Sequence, residues 1–549
     1  MLGLTQHWPL ITSSILEHGA ANYADAEIVS RIADGRLHRY DYGTADRRAR
    51  RLASGLRRLG VTAGAIVGSL AWTTHRLFEL FYAVPGLGAV LHTANPRLAP
   101  EQIAYAVNQA DYRCLFVDLD CLPIAEAIAP ALQRVDRYVI MTDRASMPRT
   151  RLRDLICYED LVADGDEGFA WPPLDERSGS TLCYTSGTTG DPKGVLYSHR
   201  GTVLNAMTIT GGNGWAIGRG DAILAVAPFF HCNGWGAPYV GPMVGAKLVL
   251  PGRALDAASL HGLIVGEGVT IATGVPTVWL GMLDHLAERG GDLGRLDRIV
   301  CGGTAPPPGM VARLRQDYGV RTIHAWGMTE TTHASTAAQA LPGTSAAEEL
   351  EILRGQGHPL YGSAIRVVDD QGRVLPRDGT SVGHLQVRGH WVARAYFRRE
   401  DAGLIDAEGW MNTGDVAVIE PGGAMRITDR GKDVIKSGGE WISSVELEKA
   451  ALEHPDVAEA AVIGVAHPRW QERPLLLVVP APGRTPGEAE LRAWLAERVA
   501  KWWLPDAVRL VDELPRTATG KVRKAELRER YADALLARKD GEAPHPRRT

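Results

Sequence analysis

The chain has 549 residues, 45% of them hydrophobic and 23% charged, with a formal net charge of −4. That composition is ordinary for a globular protein, the length exceeds one core at about 100–200 residues per domain, and no basic footprint of a nucleic-acid binder is present. No stretch reaches the ~18 apolar residues of a membrane span, and the opening MLGLTQHWPLITSSILEHGA lacks the charged-then-apolar order of a signal peptide.

Six cysteines, at positions 114, 121, 157, 183, 232 and 301, include no CxxC pair, so neither a zinc site nor a dithiol is expected. They read as small buried hydrophobes in a reducing compartment. The terminal PHPRRT is neither a peroxisomal address nor a prenylation box. A cytoplasmic protein is expected.

Along the chain, helical spacing is predicted from Ala45 to Leu59, with a run of arginines on its solvent face. Short buried strands are predicted at Ala65–Ala71, Leu115–Val117 and Tyr138–Met141, and again at Ala222–Val226, Lys247–Leu250, Val269–Ala272 and Arg298–Val300. This alternation predicts a mainly parallel α/β sheet. Residues 340–430 change character: short β-like runs such as Ala364–Val368 and His384–Arg388, separated by Gly, Asp and Pro, predict a small β-barrel or sheet module. Past about Arg430 comes an α+β unit, with helices predicted at Val445–His454 and Glu488–Val499 and strands at Ala460–Gly464 and Leu475–Val479. The tail KDGEAPHPRRT is expected to be disordered.

The sharpest motif is Thr185-Ser186-Gly187-Thr188-Thr189-Gly190-Asp-Pro-Lys193-Gly194, after the strand-like run Thr181–Tyr184 and before a helical run from near His199. Glycines let the backbone turn tightly and expose its N–H groups, hydroxyls add donors for phosphate oxygens, and Lys193 adds positive charge. Gly194 stands where a Walker A loop has Ser or Thr, so this is a different phosphate loop.

With this loop the chain resembles the adenylate-forming superfamily of acyl-CoA synthetases, luciferases and peptide-synthetase adenylation domains, and the resemblance runs over nearly the whole chain in the family's order. It implies that the loop holds the β- and γ-phosphates of ATP, with Thr185 as a catalytic and metal-side residue. Ala325-Trp326-Gly-Met-Thr329-Glu330 matches the family's aromatic-Gly-x-Thr-Glu segment. An aromatic ring can stack on adenine, Thr329 can bond the α-phosphate, and the hard carboxylate oxygen of Glu330 can hold Mg²⁺; the family usually has Tyr where Trp326 stands. Thr413-Gly-Asp415 matches the segment whose carboxylate accepts the two ribose hydroxyls, although TGD is also a common turn. Arg430, within Asp429-Arg-Gly-Lys432-Asp433, is implied as a second ribose or phosphate contact. Pro515-Arg-Thr-Ala-Thr-Gly-Lys521 matches the catalytic loop, where a flexible ammonium offsets transition-state charge.

The resemblance further implies a large N-terminal domain of parallel α/β sheets with a small β-barrel, residues 1–431, and a smaller mobile α+β C-terminal domain, residues 432–549, that swings about Lys432. In one pose Lys521 faces the nucleotide; in the other Lys436-Ser-Gly438-Gly439-Glu440-Trp441 lines the thiol tunnel, with Lys436 and Trp441 also near the nucleotide. Phe229-Phe-His231-Cys-Asn-Gly-Trp235 and Cys301-Gly302-Gly303 match the segments lining the acyl pocket. They contain no acidic or basic residue, so an apolar acyl tail is expected rather than an amino acid, whose ammonium would need a carboxylate. His231 reads equally as a packed, hydrogen-bonded histidine or as a functional one.

The segments FHxNxW and KSGGEWIS are most similar to fatty-acyl-CoA synthetases and 3-methylmercaptopropionate-CoA ligases, which share them, so chain length stays open. In the former, the tryptophan matching Trp235 gates the fatty-acid tunnel and the one matching Trp441 lies near adenine. The expected activity is an AMP-forming acid–CoA ligase for a medium- or long-chain fatty acid, using ATP, Mg²⁺ and coenzyme A, as a homodimer. A 3-methylmercaptopropionate or other short-chain ligase is the alternative. A carrier-loading adenylation enzyme, a luciferase-like oxygenase and a non-catalytic nucleotide-binding protein are the rival classes.

Overall fold

The computed structural model describes residues 1, 3–185, 191–341, 343–399, 403–437, 440–468, 470–516 and 522–536; for Arg430, Lys436, Glu440 and Trp441 it describes the backbone alone. The expectations for Ser186–Gly190, Gly438, Gly439 and Lys521, and for the terminal tail, fall outside these residues. The chain divides into two compact units, Met1–Ile365 with Val387–Met411, and Arg366–Gln386 with Asn412–Thr549.

Two sheets build the first unit. One is nine-stranded, in the order His358–Pro359, Thr336–Ala338, Arg321–Trp326, Arg298–Cys301, Ile271–Gly274, Ala222–Ala225, Lys247–Leu250, Glu27–Arg31 and Leu37–Asp41. Its inner strands are parallel, and the antiparallel pairs lie at its two ends. The other is seven-stranded, running Leu155–Cys157, Arg137–Ile140, Cys114–Val117, Ile66–Leu70, Val90–Ala94, Gly179–Tyr184 and Gly194–Ser198, parallel except for the last pair. The predicted mainly parallel α/β architecture is present, and each strand predicted between Ala65 and Val300 has bounds within a residue or two of an observed one, whereas Ala460–Gly464 and Leu475–Val479 are the middles of longer strands.

The helix Tyr42–Arg58 shows how sequence spacing becomes packing. Asp41 caps it, accepting from the Thr44 N–H at 2.7 Å. Ala45, Ala49, Leu52, Ala53 and Leu56 recur at helical spacing and are fully buried. The expected solvent face is different in part: Arg48 reaches the fully buried Glu79 at 2.7 Å and Glu159 at 2.9 Å. A buried carboxylate without a cation would be costly, so this arginine belongs to the interior.

Two further expectations gain an element. The phosphate loop does lie after the expected strand and before the expected helix at His199, but an additional strand stands between loop and helix. The loop turns from Gly179–Tyr184 into an antiparallel partner, Gly194–Ser198, and the helix His199–Thr210 follows, capped by Ser198. The β-rich stretch expected to form a small β-barrel or sheet module also holds a helix, Ala346–Arg354, capped reciprocally by Ser345 and Glu348. The β-rich remainder is a four-stranded sheet, Ser363–Val368, Gly383–Gly389, Met411–Ile419 and Met425–Arg430, in that order.

In the second unit, Glu440–Ile442, Ile435–Ser437, Gln471–Pro480 and Val457–His467 form a sheet, and Ala507–Leu510 pairs parallel with Gln471–Pro480. The helices Ser444–Leu452 and Glu488–Ala496 pack on it around Leu447, Leu476, Val478 and Leu491. Among the described residues no helix is long and apolar enough to cross a membrane, and all six cysteines are buried, with no disulfide between them.

Candidate active site

The root of the phosphate loop is fixed by backbone and side chain together. Thr185 N donates to Lys193 O at 2.9 Å, and Lys193 N donates to Thr185 Oγ1 at 3.0 Å. Two predicted residues eight positions apart thus close the loop at its base.

The strand Arg321–Trp326 ends with Ala325 and Trp326, both buried. The chain then turns sharply at Gly327, where a Cβ would stand 2.0 Å from His333 O, so glycine is required by that close approach. The turn Thr329–Thr331 follows, held by Met328 N donating to Thr331 Oγ1 at 2.9 Å. Tyr197, on the strand leaving the phosphate loop, donates its hydroxyl to Thr329 O at 2.7 Å. Glu330 is buried, and Tyr396 donates its hydroxyl to Glu330 Oε1 at 2.7 Å. The Tyr396 ring also carries the Lys193 ammonium at 4.9 Å from its centroid. The structure therefore brings Thr185, Lys193, Thr329 and Glu330 together, with Tyr197 and Tyr396 as connectors that the sequence reading did not identify.

Glu330 suits a hard divalent cation. Among the described residues no group of three or more His, Cys, Asp or Glu could hold a metal. Mg²⁺ does not require such a cage, because it binds through one or two carboxylates and completes its octahedron with waters and substrate phosphates. A single oriented carboxylate near a phosphate loop meets that requirement.

The predicted acyl-pocket segment is conformationally unusual. Cys232, Asn233, Gly234, Trp235 and Gly236 have φ of 37°, 40°, 62°, 53° and 80°, a run of left-handed backbone through three non-glycine residues. Such residues cost energy and persist only where their surroundings over-determine them. Asn233 is fully buried and accepts from the Thr181 hydroxyl at 2.7 Å. His333 Nδ1 donates to Cys232 O at 3.0 Å, and burial lowers the His333 pKa to about 4, so the ring is neutral at pH 7. Cys232 Sγ lies 3.6 Å from Thr329 Oγ1, which ties the turn to the Thr329–Glu330 segment. Held this way, the half-buried Trp235 lies over Gly302: a Cβ there would be 3.2 Å from the ring and 2.9 Å from Ala325 O. Gly303 follows with φ of 82°. His231 is half-buried, with its Nε2 4.0 Å from Cys232 Sγ.

Within the second unit, Asp415 is buried on the strand Met411–Ile419, opposite Arg430 in the antiparallel register. Its N–H donates to Thr413 Oγ1 at 3.1 Å, and Thr413 Oγ1 donates to Leu385 O at 3.0 Å. Lys432 is exposed. Next to it a charge cluster closes: Asp433 pairs with Arg528, Asp429 accepts from the Ser444 N–H and hydroxyl, and Lys524 Nζ lies 2.7 Å from both Ser444 Oγ and Glu448 Oε1. Burial alone would lower the Lys524 pKa, but Glu448, Asp429 and Asp433 outweigh it and hold the ammonium charged. The feet of the segment carrying Lys521 are pinned as well: Arg516 bridges Val522, and Arg523 N donates to Pro515 O at 2.7 Å.

Residues 16–397 match the AMP-binding enzyme family, and residues 446–521 match its C-terminal domain. The chain belongs to the AMP-binding enzyme family. It is 48% identical over 538 residues to a 3-methylmercaptopropionyl-CoA ligase of Ruegeria pomeroyi, covering 97% of this chain and 100% of that one. It is 47% identical to a medium-chain-fatty-acid–CoA ligase of Ectopseudomonas oleovorans, with 98% of each chain covered. It is 44% identical to a long-chain-fatty-acid–CoA ligase of Thermus thermophilus, with 94% of each covered. Among solved structures, an anthranilate CoA ligase bound to anthranoyl-AMP superposes with a TM-score of 0.83 at 25% identity, covering 95% of this chain and 98% of that one. ATP-bound MatB from Rhodopseudomonas palustris superposes with a TM-score of 0.80, also at 25% identity, covering 95% and 99%.

Proposed function

We propose that this chain is an AMP-forming acid–CoA ligase acting on an aliphatic carboxylic acid, in the first place a medium- or long-chain fatty acid. The observation that carries the reading is the meeting of the phosphate-loop root, the Thr329–Glu330 turn and the Trp235–Gly302 contact around one edge of the first unit. Full-length similarity to ligases for such acids supports the substrate class. A short acid of the 3-methylmercaptopropionate type is the second reading, favoured by the relative that is 48% identical.

The chemistry follows from the leaving group. A free carboxylate would have to expel oxide, so its oxygen attacks the α-phosphorus of ATP, forming acyl-AMP and releasing pyrophosphate. The thiol of coenzyme A then attacks the acyl carbon and AMP leaves. No protein nucleophile is needed, and the enzyme acts by positioning and charge neutralisation. In this reading Ser186–Gly190 and Lys193 hold the β- and γ-phosphates. Thr329 bonds the α-phosphate, Trp326 stacks on adenine, and Asp415 and Arg430 take the ribose. Glu330 and Thr185 form the metal side, where Mg²⁺ would neutralise phosphate charge. The apolar wall made by Trp235, Gly302 and Gly303, with His231 beside it, takes the acyl tail. Lys521 faces the α-phosphate in the first step; Gly438, Gly439 and Glu440 line the thiol path in the second, with Lys436 and Trp441 near the nucleotide. The working boundary is at Lys432, dividing residues 1–431 from 432–549. A cytoplasmic homodimer is the proposed working form.

Pyrophosphate release measured with ATP and Mg²⁺ across propionate, 3-methylmercaptopropionate, octanoate, palmitate and cinnamate, with and without CoA, tests the reading. CoA-stimulated turnover greatest with octanoate or palmitate supports the first substrate class, and greatest with 3-methylmercaptopropionate supports the second. No acid-dependent release from any of them rejects the function.

A further inference from the structure

Tyr396 joins two groups that have opposite charge and different tasks. Its position is set by backbone on both sides: Ala393 N donates to Glu330 O and Phe397 N donates to Gly194 O, each at 2.7 Å. The segment from 393 to 397 therefore spans from the Glu330 turn to the first residue after Lys193. The Tyr396 hydroxyl donates to Glu330 Oε1 at 2.7 Å, within the short range of a hydrogen bond to an ionised acceptor. The ring face receives the Lys193 ammonium at 4.9 Å, close enough for cation–π attraction. One side chain thus holds a cation on its face and a carboxylate at its tip.

We infer that Tyr396 is a positioning residue that aims the Glu330 carboxylate at a divalent cation and holds the Lys193 ammonium for the terminal phosphates of ATP. This rests on the proposed roles of Glu330 and Lys193. By engaging Oε1, the hydroxyl restricts how the carboxylate can turn, and on this inference Oε2 is the oxygen offered to the cation. Groups that orient a metal ligand in this way are typically worth about 10–100-fold in metal affinity. The phenolic O–H is the donor in this contact and the carboxylate oxygen the acceptor.

The two contacts can be removed separately. Tyr396→Phe keeps the ring and loses the donor; Tyr396→Leu loses both. Mn²⁺ binding is measured on the full chain by electron paramagnetic resonance in the presence of a non-hydrolysable ATP analogue. Metal-free binding of the analogue and of AMP is measured by calorimetry, with Glu330→Gln as the reference variant. Tyr396→Phe is expected to weaken Mn²⁺ about 10-fold or more and leave metal-free binding of analogue and AMP unchanged. Tyr396→Leu is expected to weaken Mn²⁺ as much, and in addition to weaken the analogue severalfold while AMP, which has no terminal phosphates, binds as before. If Glu330→Gln loses Mn²⁺ but Tyr396→Phe binds it like the wild type or more tightly, the inference fails alone. If Glu330→Gln binds Mn²⁺ normally, the assignment of the metal side fails and takes the inference with it. If Tyr396→Leu weakens AMP and analogue equally, the ring supports the fold rather than the lysine, and the inference fails.

Discussion

Asn233→Ala should damage the acyl side of the site while sparing the nucleotide side. Asn233 has φ of 40° within the left-handed run, and asparagine tolerates that region better than alanine by about 1 kcal/mol. Its side-chain oxygen is the acceptor for the fully buried Thr181 hydroxyl. A buried donor left without a partner costs about 1–3 kcal/mol. The expected destabilisation is therefore about 2–4 kcal/mol. Asn233→Gly should recover the backbone part and keep the hydrogen-bond loss, so it should fall about 1 kcal/mol nearer the wild type. Both changes are readable in urea unfolding followed by fluorescence of the buried Trp215 and Trp279. If acid binding must rebuild the turn beneath Trp235, each 2 kcal/mol of that work raises KM for the acid about 30-fold. KM for ATP should stay within about twofold, because the loop root at Thr185 and Lys193 makes no hydrogen bond to Asn233. Stability within about 0.5 kcal/mol of the wild type, or an equal rise in both KM values, would refute the claim that this residue locks the turn.

Three other outcomes can be measured. Burial lowers the pKa of His92 to about 3 and of His199 and His333 to about 4, so the unfolded chain binds these protons first. The histidine contribution is full above pH 6.5 and falls as pH drops toward 4, by about 2 kcal/mol per histidine at pH 5; a urea midpoint that stays flat from pH 7 to 5 would contradict this. Lys524→Met leaves Glu448, Asp429 and Asp433 without their central cation and should destabilise by about 3–5 kcal/mol, whereas Lys524→Met with Glu448→Leu should cost clearly less than the two single changes added, as read by chemical denaturation. Lys521→Ala should abolish acid-dependent pyrophosphate release yet still pass the acyl group from synthetic acyl-AMP to CoA; equal loss of both steps would remove the lysine from the first step specifically.

How far the sequence reveals these features depends on the kind of information each one needs. Strands such as Lys247–Leu250 and Arg298–Cys301 are readable because burial on both faces leaves a continuous apolar run. The phosphate loop is readable because glycines and hydroxyls cluster within ten residues. Its hairpin setting is not, because Gly194–Ser198 is one apolar face of an edge strand only five residues long. Arg48 looks like a surface arginine until the fold brings Glu79 to it from 31 residues away. Tyr396 stands 66 residues from Glu330 and gives no local signal at all; its meaning comes from two backbone hydrogen bonds that fix where its segment crosses the sheet edge.

The left-handed turn is the hardest case, and it shows why. Residue type predicts preferred φ, and although asparagine and glycine tolerate positive values, Cys232 and Trp235 do not favour them. What holds them there is tertiary: Thr181 from the strand before the phosphate loop, and His333 from beyond the Glu330 turn. Both anchors come from the nucleotide side of the site. The wall proposed to meet the acyl tail is thus held by the same segments that carry Thr185 and Glu330, through one buried asparagine and one neutral histidine. On the proposed assignment, the backbone beneath Trp235 is tied to the segments assigned to phosphate binding, whereas the apolar lining is not part of those two anchoring contacts.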